Sequence, residues 1–183
     1  MKVFSALAAL ALTAATAFIP PASANQPRYR VQYTAEGWQL LRRTIENHGV
    51  EYWVDSKHCN EEGTKLLGMA VREKSKKMHM LICRDNHQGN YNEMADTFRH
   101  EVVHLIQFCK GENYGATTAT LYPENAAWGL AYARDQLNMP MDNYSKDKWE
   151  REAEARVMAY FLDEEEIARQ FSEQCSHRRL TGV

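Results

Sequence analysis

Beyond its first two dozen residues the chain has no C-x-x-C pair, no block of basic residues, no internal repeat and no low-complexity tract. Each absence removes a class of function. Without C-x-x-C, the cysteines are not spaced as ligands of a zinc finger or ribbon. Without a basic block, and with a net charge of −2, nothing directs the chain to nucleic acid or to an anionic membrane. No stretch after residue 24 is apolar enough to span a bilayer. Nor is there a recognisable module for binding a cell wall.

What is present begins with a leader. Lys2 precedes an apolar run over 3–19, Pro20 and Pro21 break it, and Ala22-Ser23-Ala24 has the A-x-A form. This pattern predicts a signal peptide over 1–24, cut between Ala24 and Asn25. Residues 25–183 then form one domain, secreted or periplasmic and monomeric, large enough to bury its own core. All four cysteines, Cys59, Cys83, Cys109 and Cys175, lie in that mature part. An even number in an oxidising compartment predicts two disulfides, with three connectivities open. The favoured pairing is Cys59–Cys83, closing a β-region, with Cys109–Cys175 tying two helices together.

The mature chain reads as helix, short sheet, then mostly helices. Thr34 caps a helix over 35–48, where Trp38, Leu41 and Ile45 recur at helical spacing and Gly49 follows. Strands are expected over 50–55, 65–71 and 78–83, the last two joined as a hairpin by a charged turn over 72–77. Alternation in that third strand puts His79 on its solvated face. Asn90 with Glu93 forms a capping box that opens a long helix ended by Gly111. A helix led by Pro123 runs to Leu137. Asp147 with Glu150, and Asp163 with Glu166, form two further capping boxes, opening helices over 148–162 and from 164 to Cys175.

The long helix carries the chemistry. Its apolar stripe is Met94, Phe98, Val102, Leu105 and Phe108, and across it runs His100-Glu101-Val102-Val103-His104, an H-E-x-x-H motif. Histidines four apart stack on one helix face, so both imidazoles can hold one Zn²⁺. Glu101, beside the first of them, is placed to act as general base on an attacking water.

H-E-x-x-H on a helix that follows a sheet edge resembles the zincin metallopeptidases. The metzincin branch would require Gly at Gln107 and His at Lys110, so it is excluded. The gluzincin branch takes a glutamate from a later helix, commonly with a small residue three positions on. Glu152 fits, with Ala155 at i+3 and Ala159 at i+7. Glu154, followed by Val157, and Glu124, followed by Ala127 but beside Pro123, compete with it. Arg156 stands where many gluzincins carry an Asp that orients a ligand histidine, which leaves Glu154 as the nearest substitute.

The resemblance implies an α+β, zincin-like fold. A small, mostly antiparallel sheet of about three strands packs on the H-E-x-x-H helix, followed by a helical C-terminal half. It further implies one catalytic Zn²⁺ held by His100, His104 and Glu152, with a peptide or protein as substrate. The strand over 78–83, or its hairpin partner, is expected to take an extended peptide. Tyr114, Tyr122, Tyr144 and Tyr160 are the available oxyanion donors. A silent zinc-binding or interaction protein, and a hydrolase of non-peptide amides, are the alternatives.

Overall fold

The computed structural model describes residues 31–60, 65–113 and 120–176, so the expected signal peptide and Tyr114 lie outside the described residues. Helix α1 (Ala35–Asn47) starts where the Thr34 hydroxyl accepts from the Gly37 amide at 3.0 Å. It buries Leu41 and Ile45, and Gly49 turns the chain at φ 82° into strand β1 (Glu51–Val54).

β2 (Gly68–Arg72) and β3 (Met78–Ile82) form the expected hairpin. The sheet order is β1-β3-β2, with β1 parallel and β2 antiparallel to β3. The sheet is therefore mixed, not mostly antiparallel. Periodicity in a sequence says which face a residue takes but not which way its strand runs. The long connection from β1 to the hairpin leaves room for the parallel crossover.

β3 is central and all five of its residues are buried, including His79 at 6 % exposure. The solvated position expected for His79 is corrected by what covers it. Trp53 lies over its ring at 4.9 Å, Glu73 Oε1 meets its Nε2 at 2.7 Å, and Glu51 Oε2 lies 3.1 Å from Nδ1. A buried imidazole is stable here because both nitrogens face carboxylates.

Helix α2 (Tyr91–Asn113) is the core element, opened by the Asn90 side chain accepting from the Glu93 amide at 3.1 Å. Phe98, Val102, Val103, Leu105 and Ile106 are fully buried because the sheet covers one side of α2 and later helices the other. The helix continues past Gly111 to Asn113. A helical glycine costs only about 1 kcal/mol, and the turn before it is anchored by the Cys109–Cys175 disulfide.

The C-terminal half comprises α3 (Ala126–Gln136), α4 (Trp149–Phe161) and α5 (Glu164–Cys175). Asp163 caps α5 by accepting from Glu166 N at 2.8 Å. The box expected at Asp147 and Glu150 does not form. A 3-10 turn, Lys146–Lys148, winds directly into α4, and the Lys148 amide bonds Ser145 O at 2.9 Å, so no side-chain cap is made there.

Cys59–Cys83 fastens the loop after β1 to the end of β3, and Cys109–Cys175 joins α2 to α5. Two disulfides fit an oxidising compartment, and no helix among the described residues is long and apolar enough to cross a membrane.

Candidate metal centre

α2 and α4 pack with opposed chain directions: Arg99 Nε donates to Ala159 O at 2.9 Å, and one turn on His104 meets Glu152. Ala155 and Ala159 lie buried at 0 % and 4 % exposure, so small side chains let the helices approach. That approach brings three ligand atoms together. His104 Nε2 is 3.0 Å from His100 Nε2 and 3.2 Å from Glu152 Oε2, and His100 Nε2 is 3.5 Å from the same oxygen.

These spacings match the edges of a coordination polyhedron. Ligands about 2.0–2.1 Å from a tetrahedral zinc lie about 3.3–3.4 Å from one another. Two imidazole nitrogens at 3.0 Å also repel unless they share a cation or a proton. Donor type and spacing therefore fit a divalent metal, and His100, His104 and Glu152 could hold one. The other carboxylate oxygen, Glu152 Oε1, faces Arg151 Nε at 3.6 Å, which leaves Oε2 to the histidines.

The electrostatics follow from this crowding. Burial pushes His100 toward the neutral form, the form in which it can ligate. Burial presses His104 the same way, but its hydrogen bond to Glu152 and the charges of Glu101 and Glu152 outweigh this and raise its pKa. For Glu152, burial favours the protonated acid, yet the bonds to His100 and His104 hold it well below the usual carboxylate range.

Behind His104 lies a relay that sequence reasoning missed. Gln107, one turn further along α2 and fully buried, accepts from His104 Nδ1 at 2.8 Å through Oε1. Its amide nitrogen donates to Glu154 Oε2 at 2.7 Å and to Arg151 O at 3.1 Å. Both of those partners are acceptors, so the amide nitrogen must point at them and its oxygen at His104. In the neutral form that can ligate, His104 Nδ1 then carries the proton and the Nε2 lone pair faces Glu152 and His100.

Glu154 is thus not in the ligand group. Its carboxylate accepts from the Leu121 amide at 2.7 Å and the Tyr122 amide at 2.8 Å, fixing the start of the segment that leads to α3. Burial pushes its pKa up, against the pull of Gln107 and those two amides. Glu124 is exposed in a 3-10 turn and Glu150 is exposed on α4, so neither reaches the histidines. The signal for Gln107 was one polar residue three positions after a ligand histidine inside an apolar stripe.

If the cluster holds a divalent metal, Gln107→Met is expected to weaken its binding roughly 10- to 100-fold, the range typical of partners that orient a ligand. Competition against a chelator of known affinity measures it, and an unchanged affinity would remove Gln107 from the site.

A cleft of about 850 Å³ opens on the centre. His100, Glu101, Tyr144, Arg156, Tyr160 and Gly68 are among the residues lining it. Gly68 begins β2 against α2: a Cβ there would lie 2.6 Å from Thr97 Cγ2 and 3.0 Å from Glu101 Cγ. β3 is paired on both sides, so among the described residues β2 is the strand that presents a free edge beside the cleft. Burial and the Glu152 charge raise the Tyr144 pKa, keeping its hydroxyl protonated. Tyr122 lies away from the cleft, with its hydroxyl 3.5 Å from Gln170.

Comparison with protein-family models, with curated proteins and with solved structures finds no match. What stands is an α+β fold whose mixed sheet packs on α2, with a buried His-His-Glu cluster able to hold a metal.

Proposed function

We propose that the chain is a secreted or periplasmic zinc-dependent peptidase of minimal gluzincin type. The observation that supports this most is the convergence of His100 Nε2, His104 Nε2 and Glu152 Oε2 at a cleft that Glu101 also lines. When bound there, zinc would supply Lewis acidity to the scissile carbonyl and lower the pKa of an attacking water. Glu101 takes the proton from that water and returns it to the leaving amine. Tyr144, protonated and on the cleft wall, donates to the developing oxyanion. The free edge of β2 pairs with the extended peptide, and Gly68 keeps that edge close to Glu101.

The test is metal analysis joined to turnover. The full mature chain is expected to bind one zinc per molecule and to hydrolyse unfolded protein or quenched-fluorescence peptides. Phenanthroline should abolish the activity and added zinc restore it. Absence of stoichiometric zinc after exposure to the metal would sink the reading entirely. One zinc without hydrolysis of any peptide would leave a metal-binding protein and no peptidase.

A further inference from the structure

Arg156 lies one helical turn beyond Glu152 on α4, and it lines the cleft with His100 and Glu101. Its guanidinium interacts with the Tyr144 hydroxyl, and among the described residues no carboxylate lies within ion-pair distance of it. Neighbouring arginines are committed elsewhere. Arg99 is bound by Asp96 and Glu164, Arg151 faces Glu152, and Arg169 is held by Glu166 and Glu173. An arginine presents a planar fork of donors matched to a carboxylate. In this cleft the fork is only partly used.

We propose that Arg156 is the receptor for a carboxylate of the substrate, either the free C-terminus of a peptide or an Asp or Glu side chain beside the scissile bond. The proposal rests on the hydrolase reading of the site. Charge supports it: Glu101 and Glu152 would repel an anionic substrate, and Arg156, a cation lining the same cleft beside Tyr144, offsets that repulsion. Lys65 adds positive charge to the cleft lining. Glu93 and Asp96, nearer the start of α2, also line the cleft and disfavour a carboxylate at that end, so its position is set by Arg156. Distance supports it as well. One turn of helix rises about 6 Å for four residues, and an extended peptide advances about 3.3–3.6 Å per residue. The recognised carboxylate therefore sits within about two residues of the bond to be cut, and a free terminus there makes the cleavage exo-acting.

Three N-blocked peptides distinguish the sources: one with a C-terminal free acid, its amide, and that amide with Glu substituted immediately after the scissile bond. Binding is measured on the zinc-loaded Glu101→Gln protein, with and without Arg156→Met or Arg156→Lys. Hydrolysis is measured on zinc-loaded wild type and Arg156→Met. At least one carboxylate peptide is expected to bind roughly 10- to 100-fold tighter than the neutral amide, as hydrogen bonds to a charged group do. Arg156→Met should bring that ratio near one and Arg156→Lys should keep part of it. The kcat/KM ratio of carboxylate to amide substrates should fall in parallel. Whichever carboxylate peptide binds tighter identifies the source. No preference in the parent protein, or one that survives Arg156→Met, overturns the proposal. So does an equal loss of kcat for all three peptides, which would place Arg156 at the oxyanion. If wild type turns over none of the peptides, the hydrolase reading fails, while the binding ratio still reports on Arg156.

Discussion

Glu101→Gln is expected to retain one zinc and a wild-type melting temperature while losing about 10²- to 10⁴-fold in kcat/KM, the usual contribution of a positioned general base. The substitution changes one atom and preserves shape, which matters because Glu101 is 8 % exposed and its Cγ lies close beneath Gly68. Glu101 does not belong to the His100, His104 and Glu152 group, so the ligand set survives. It does add negative charge that helps raise the pKa of both His104 and Tyr144. The amide side chain removes that charge, so a small drop in zinc affinity accompanies the large loss of turnover. Single-turnover hydrolysis together with zinc stoichiometry separates the two effects. A fully metallated variant as active as wild type would eliminate Glu101 as the base. A variant that loses its zinc would assign the defect to metal loss.

What could be read from the sequence divides along a physical line. Interactions within one helix were legible: His100 and His104 four apart, the Thr34, Asn90 and Asp163 caps, and the buried stripe of α2. So was the glutamate helix, because Ala155 and Ala159 mark a face on which another helix can lie close. The two disulfide pairings and the hairpin were legible as well, but several other interactions set by two or more elements were not. Whether β1 ran parallel or antiparallel to β3 depended on a crossover that no local pattern encodes. His79 alternates as a solvent-facing residue, yet Trp53 and two carboxylates from neighbouring segments close over it. Gln107 could be used only to exclude one pattern. Its role appears when Glu154, from another helix, arrives on its far side.

The same dependence on paired elements makes Arg99→Met the most damaging substitution predicted for the fold. Arg99 lies inside α2 with no exposed surface, yet four of its five N–H donors are spent: to Ala159 O at 2.9 Å, to Glu164 Oε1 at 2.6 Å, to Val31 O at 3.3 Å and to Asp96. It therefore pins α4, α5 and the lead-in to α1 onto one point of α2. Methionine fills much of the space but leaves Glu164, 3 % exposed, as a buried charge without its partner. Breaking a buried pair in this way costs about 3–5 kcal/mol, against a total stability of about 5–15 kcal/mol for a typical domain. Urea unfolding with the disulfides intact measures the loss. Arg99→Met combined with Glu164→Leu should recover much of it, because the apolar pair leaves no fully buried charge, and Asp96, whose side chain is 23 % exposed, has access to water. The double variant still lacks the bond to Ala159 O, one turn of α4 beyond Arg156 and two beyond Glu152. Zinc affinity should therefore stay below wild type even where stability returns. A single variant within about 1 kcal/mol of wild type, inside the range of ordinary surface changes, would show that the sheet and the disulfides hold α4 on α2 without this pin.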